Sequence, residues 1–311
     1  MHLMRLSLLS PRYWPLWFGL TLLRTLTLLP YPVLVVMGRL LGRVLPHLPV
    51  AALKVARKNI DLCLPELPPA ARARLVKRHF ESAALTLFET ALSWWASDAR
   101  IRRITRLEGQ EHLDQALTQG KGAILLSAHF TTLEIGARAL AARMPLNVMY
   151  RPTNNPLLAY FLARNRGRRT KRAIARDDVR TLIKALRENG IVWYAPDQAY
   201  RKKGAEMVKL FGIPAATNTS TSRLARMTGA AVLPYFPERL PGFKGYRMHI
   251  QPALTDFPSD SPAADAERFN HLIEAHIHHV PEQYLWLHKR FKGLSDDYPD
   301  YYATAPRRES T

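Results

Sequence analysis

"LLSAHFTTLEIGARAL", residues 125–140, opens as an unbroken apolar run and closes with the spacing of a helix. A run that is apolar at every position suits a strand in the middle of a sheet covered on both faces. The change of period predicts a strand-to-helix junction, with His129 on its lip, Glu134 in the first turns of the helix, and Thr131 or Thr132 as the cap. In open α/β sheets, reactive groups collect outside the carboxyl ends of the strands, and His129 is delivered there. A carboxylate on one ring nitrogen fixes the tautomer and stabilises the imidazolium, while the other nitrogen takes a proton from a hydroxyl. Glu134 is expected to fold back and serve as that carboxylate. No Ser, Thr or Cys in this stretch sits in a G-x-S-x-G elbow, so His129 reads as a base for a substrate hydroxyl, not for a nucleophile of the protein's own.

The flanking text repeats the strand–helix alternation. Apolar runs at 123–127, 146–150, 191–195, 230–236 and 246–254 alternate with amphipathic stretches such as "NNPLLAYFLARN" and "DDVRTLIKALRENG". The fold expected is α/β, a largely parallel central sheet flanked by helices. Before it, "AALKVARKNIDLCLPEL" and "AARARLVKRHFESAALTLFETALSWW" are helical, separated by Pro65, Pro68 and Pro69. One α/β domain over 46–311 is expected, with a helical preface over 46–105 and a frayed tail after "DDYPDYY".

Residues 1–45 read differently. From Tyr13 to Met37 the chain runs 25 residues with a single charge, Arg24, which is enough to cross a hydrocarbon layer or to lie in its surface. No small-residue cleavage site follows, so an N-terminal membrane helix that is retained is expected. Arg39, Arg43, Lys54, Arg57 and Lys58 after it outnumber Arg5 and Arg12 before it, which places the bulk of the protein on the cytoplasmic side. The net charge of +20, from 45 Lys and Arg against 25 Asp and Glu, calls for an anionic partner. The single cysteine, Cys63, excludes an intrachain disulfide and a Cys-based metal site.

Further candidates lie downstream. Arg164, Arg166, Arg168, Arg169, Lys171 and Arg172 crowd around Gly167, and like charges this dense need an anion. With no aromatic stacking platform beside them, lipid phosphates or an acidic protein fit better than nucleic acid. Asp197 and Gln198 end the run "IVWYA" on the rim expected for His129, with Asp197 either binding a ligand or tying down a loop. The hydroxyls from Thr217 to Ser222 mark a helix start. The four histidines of "AERFNHLIEAHIHHV" do not converge, because helical spacing turns His276 inward and His271, His278 and His279 elsewhere, so no metal is expected.

Seven blocks, "RKNIDLCLPEL" (57–67), "SAHFTTLE" (127–134), "YRPTNNPLL" (150–158), "IVWYAPDQ" (191–198), "LARMTGAAVLPY" (224–235), "GYRMHIQP" (245–252) and "PEQYLWLHKRFK" (281–292), make the chain resemble the lipid A biosynthesis lauroyl and myristoyl acyltransferases. The wider glycerolipid acyltransferase superfamily, which it also resembles, usually has Asp where Glu134 stands. The resemblance implies an inner-membrane enzyme working at the cytoplasmic face. It would move an acyl chain, with lauroyl favoured, from acyl carrier protein to the hydroxyl of a 3-hydroxyacyl chain on the lipid A precursor Kdo2-lipid IVA, without a cofactor. It also implies His129 and Glu134 as the catalytic pair and Arg166 and Asp197 as further site residues, with Arg168 and Arg169 meeting substrate. The rival readings are a lysophosphatidate-type glycerolipid acyltransferase and a non-catalytic basic protein that binds membrane or nucleic acid.

Overall fold

The computed structural model describes residues 6–47, 51–150, 153–295 and 297–303. Five helices come first: α1 (Trp14–Leu26), α2 (Tyr31–Val44), α3 (Ala51–Cys63), α4 (Pro69–Trp95) and α5 (Asp98–Ile104). Strands and helices then alternate through β1 (Thr105–Glu108), α6 (Gln110–Leu117), β2 (Ala123–Leu126), α7 (Leu133–Ala141), β3 (Leu146–Tyr150), α8 (Pro156–Arg169), β4 (Arg172–Ala175), α9 (Val179–Arg187) and β5 (Ile191–Tyr194). The hairpin β6 (Ala205–Leu210) and β7 (Ile213–Asn218) follows, then α10 (Ser220–Thr228), β8 (Ala231–Arg239), β9 (Tyr246–Ile250) and α11 (Pro262–His279).

Seven strands form the central sheet in the order β1-β9-β8-β2-β5-β3-β4, while β6 and β7 pair only with each other. Every pairing in the central sheet is parallel except that of β8 with β9, as the alternating text predicts. All four residues of β2 are buried, because β5 and β8 flank it and helices cover both faces. Its side chains alternate between two cores. Ile124 and Leu126 join the side packed by α3, α9, α10 and α11; Ala123 and Leu125 join the side packed by α7 and the outer half of α4. Parallel β2 and β5 end together on one rim, which brings the segments after Leu126 and Tyr194 side by side.

The N-terminal segment departs from its expected form. The apolar stretch 13–37 is not one helix: the chain breaks at Thr27–Pro30 and begins a second helix, α2. At about 1.5 Å per residue, helices of 13 and 14 residues reach about 20 Å, short of the ~30 Å hydrocarbon core. Among the described residues no single helix is long and apolar enough to cross a membrane. Pro30 sits at the N-cap of α2 and Pro32 in its first turn, where a missing N–H costs no helical bond, so the prolines mark the break. α2 lies tightly on α4, since a Cβ at Gly42 would stand 2.3 Å from the Glu81 Cα and one at Gly38 2.5 Å from Leu85 Cδ2. The opposite side of α2 leaves Val33, Val36, Leu40 and Val44 exposed. Eleven of the fifteen large apolar side chains exposed among the described residues lie between Leu6 and Val44. The tail after Ala303, expected to fray, lies outside the described residues.

Candidate active site

The loop between β2 and α7 carries His129, and its main chain is clamped from three sides. The His129 N–H donates to Asp197 Oδ2 at 2.9 Å, Leu285 N donates to the His129 carbonyl at 3.0 Å, and Thr131 N donates to the Gln283 carbonyl at 2.7 Å. Neither threonine caps α7 with its side chain, contrary to the expectation. Thr132 is the N-cap residue, but its hydroxyl donates to the Pro237 carbonyl, and that of Thr131 pairs with Ser82 Oγ at 2.8 Å. Those hydroxyls fix the loop to β8 and α4.

The carboxylate on the ring is Asp197, 68 positions away in sequence, and not Glu134 as the local spacing suggested. His129 Nδ1 lies 2.6 Å from Asp197 Oδ1. With Asp197 ionised, Nδ1 carries the proton and donates it, which leaves Nε2 as the basic nitrogen. Burial lowers the His129 pKa, but the charge and hydrogen bond of Asp197, with the charge of Glu134 behind them, outweigh it and hold the ring above its usual 6.5. Burial raises the Asp197 carboxyl, yet the facing imidazole and the His129 amide prevail and keep it below the usual carboxylate range. Asp197 is 3% exposed against 27% for His129, so one partner is sealed and the other reaches the surface. Glu134, in the first turn of α7, acts on the ring through its charge.

His129 and Glu134 open onto a cavity of about 320 Å³, within the range of small-ligand sites. Leu133, Ala137, Val148, Met149, Leu162 and Trp193 give it mostly apolar walls, drawn from α7, β3, α8 and β5. At its far end Arg138 and Arg169 converge on Asp98, Arg169 at 2.9 Å. Arg138 is 5% exposed, and its Nε and Nη1, like Trp193 Nε1, are buried without a partner among the described residues. They are polar points in a wall otherwise suited to a hydrocarbon chain.

The structure therefore brings His129, Glu134 and Asp197 together and adds Arg169 at the end of the same cavity. Arg168 is exposed on α8 and is not part of the cavity wall; Arg166 belongs to the same helix, and its side chain lies outside the described residues. The crowded cations are not a loop, since α8 runs through Arg169 and β4 begins at Arg172. The hydroxyl run is structural at Thr217, whose Oγ1 donates to the Ala215 carbonyl and accepts from Arg290. His276 does turn inward, stacked 4.6 Å from Phe236. Sequence reading missed Arg138 and Trp193, which sit inside apolar runs with no local signal of function. Among the described residues no group of three or more His, Cys, Asp or Glu is placed to hold a metal ion.

Residues 3–293 match the bacterial lipid A biosynthesis acyltransferase family. The chain is 38% identical over 297 residues to the lipid A biosynthesis lauroyltransferase of Escherichia coli K12, covering 95% of this chain and 97% of that one. It is 37% identical to the lipid A biosynthesis palmitoleoyltransferase of the same organism, over 91% and 93% of the two chains. Identity to the lipid A biosynthesis myristoyltransferase of that organism is 28%, over 92% and 89%.

Proposed function

Because the chain belongs to the bacterial lipid A biosynthesis acyltransferase family and is an acyltransferase, we propose that it moves a lauroyl chain from acyl carrier protein to Kdo2-lipid IVA. The acceptor is the hydroxyl of a 3-hydroxyacyl chain, and the product is an acyloxyacyl ester. The observation that carries the reading is the Asp197-held imidazole at the mouth of a 320 Å³ apolar cavity, a base next to room for a fatty chain.

In the step proposed, His129 Nε2 takes the proton of the acceptor hydroxyl as its oxygen attacks the thioester carbonyl. The C–O bond forms, the tetrahedral intermediate expels sulfur as the C–S bond breaks, and the imidazolium returns its proton to the thiolate. Asp197 holds the tautomer and stabilises the imidazolium without taking up the proton. Glu134 adds a second negative charge and orients the acceptor at the cavity mouth. Arg166, Arg168 and Arg169 make α8 a cationic helix for the phosphates of the lipid. Helices α1 and α2, each too short to span, rest their exposed apolar side chains in the cytoplasmic surface of the inner membrane, where the acceptor lies.

Mass spectrometry of lipid A from cells with and without the protein tests this directly. A mass increment equal to one lauroyl ester is expected, absent with His129→Ala. An unchanged spectrum refutes the transfer, and a different increment corrects the chain.

A further inference from the structure

The rim holding Asp197 continues into a short basic loop that the proposed mechanism does not use. Two residues beyond Asp197 the chain turns outward as "AYRKKG", residues 199–204, before entering β6. The loop is tied down along its length. Ala199 N donates to His288 Nε2 at 3.0 Å, Tyr200 N donates to the Ala216 carbonyl at 3.1 Å, and Thr219 Oγ1 donates to the Gly204 carbonyl at 3.0 Å. Gly204 has φ +84, a left-handed turn that suits glycine, and Ala205 N closes the bend on the Lys202 carbonyl. Arg201, Lys202 and Lys203 at the apex are all exposed. Arg223 on α10 joins them, since its guanidinium lies 3.5 Å from where a Cβ on Gly204 would stand. None of the four makes a salt bridge among the described residues, although their like charges repel.

Four neighbouring cations on a fixed loop and helix, with no salt-bridge partner among the described residues, make a local positive field that an anionic surface complements. Two anionic surfaces are available to an enzyme of this kind, a bilayer and an acidic protein. The layout favours the protein. The exposed apolar side chains of residues 6–44 belong to helices packed on the Leu125 side of the sheet and around Phe161. The basic loop leads into the hairpin and α10, which pack on the Ile124 side. The site thus has an apolar approach and a basic approach on opposite sides of the sheet. Met227, half exposed one turn after Arg223 on α10, adds the mixture of flexible apolar and cationic side chains common in protein interfaces.

We propose that Arg201, Lys202, Lys203 and Arg223 form the docking surface for the acidic carrier protein that presents the acyl thioester to His129. The inference rests on the proposed donor, and it places that donor's entrance on the side of the sheet away from the apolar helices α1 and α2. Electrostatic docking of this kind speeds encounter and weakens with salt, because the screening length is about 8 Å at physiological ionic strength.

The test uses the full chain in detergent micelles with two donors, lauroyl-loaded acyl carrier protein and the uncharged lauroyl thioester of N-acetylcysteamine. For Arg201→Glu/Lys202→Glu/Lys203→Glu and, separately, Arg223→Glu, KM for the carrier-borne donor is expected to rise tenfold or more. Under the same conditions kcat and the rate with the small thioester stay at parent values. Raising salt is expected to raise the parent's KM for the carrier and to leave that of the triple variant unmoved. Titration of the parent and the variants with unloaded carrier protein by calorimetry reads docking without turnover. Unchanged carrier affinity in the variants overturns the proposal, as does an equal loss with both donors. Loss of binding to phosphatidylglycerol vesicles with carrier affinity intact also overturns it and assigns the patch to the membrane. If the parent transfers lauroyl from neither donor, the functional reading fails, while the calorimetric titration still decides the docking surface.

Discussion

Two buried carboxylates, Glu89 and Asp197, each hold a basic side chain, and the two pairs are built to opposite ends. Glu89 on α4 meets Arg239 on β8 with Nε at 2.7 Å, Tyr246 donates to the same carboxylate oxygen at 2.8 Å, and Arg239 Nη1 donates to Ser82 at 2.7 Å. Both side chains are at most 7% exposed, and the partners come from three elements, α4, β8 and β9. In the other pair Asp197 is as deeply buried, but His129 keeps a quarter of its side chain exposed and lines the cavity. Encirclement makes a clasp, and a ring left open on one side is what the proposed mechanism uses. The two are linked, because Ser82 also bonds Thr131, two residues from His129.

Removing the ring is the sharpest way to separate the roles. His129→Gln, whose side-chain amide can still donate to the buried Asp197 carboxylate, is expected to lower kcat by about 10²–10⁴-fold while unfolding stability stays within about 1 kcal/mol of the parent. Turnover with purified lipid acceptor, alongside a urea unfolding curve, reads both numbers. A large stability loss at full specific activity of the folded fraction inverts the comparison.

The clasp is expected to respond the other way. Glu89→Ala strands the buried Arg239 guanidinium and should cost about 3–5 kcal/mol of stability. The double replacement Glu89→Leu/Arg239→Met, which leaves no buried charge, should recover most of that loss. Urea midpoints of the three proteins decide whether the pair is a clasp in this sense.

Asp197 sharpens the comparison from the catalytic side. Its charge and hydrogen bond keep the His129 pKa above 6.5 against the pull of burial. In the proposed mechanism the base is the neutral ring, so kcat/KM of the parent should fall as pH drops through a value above 6.5. In Asp197→Asn burial acts with only Glu134 opposing it, and the acid limb moves to lower pH. The rate on the plateau falls about 10²-fold as the tautomer is lost. A limb that stays in place removes Asp197 from the role assigned to it.

How far such pairs are legible in sequence depends on where their partners lie. β2 and β5 were readable because a strand buried on both faces leaves no polar residue in its run, as in "AILL" and "IVWY". His129 was readable as a residue at a strand's end, but its partner was not: the local carboxylate five positions beyond it looked sufficient, and only the parallel register of β2 with β5 brings Asp197 across. β4 escaped notice because its first residue, Arg172, continues a basic run, and its place at the sheet's edge needs no apolar alternation on both sides. β6 and β7 carry no unbroken apolar run, and only the hydroxyls from Thr217 to Ser222 stand out there, as a helix start, because the hairpin pairs with itself and stands off the central sheet. Residues 13–37 have the composition of a membrane span, and composition does not report a turn; Pro30 and Pro32 did.

The smallest expected effect concerns histidines that, unlike His129, have no carboxylate on a ring nitrogen. Burial pushes His79 and His288 down to about 4 and, with His279, Arg247 and His249 adding positive charge, His276 down to about 3. Each stays neutral in the folded chain while the unfolded chain takes up a proton near 6.5. Below that pH the unfolded state binds more protons, so stability is fully present above 6.5 and is lost as pH falls toward each folded value. His276→Phe keeps an aromatic ring against Phe130 and Phe236 and removes one such titration. Its melting temperature should match the parent's near pH 7.5 and exceed it by a few degrees near pH 5. His129, whose folded pKa is raised, contributes with the opposite sign: its share is fully present below 6.5 and lost above its folded value, so His129→Gln should widen the acid-side deficit. Scanning calorimetry of both variants across this interval measures the contrast between a histidine held by a carboxylate and one sealed among rings.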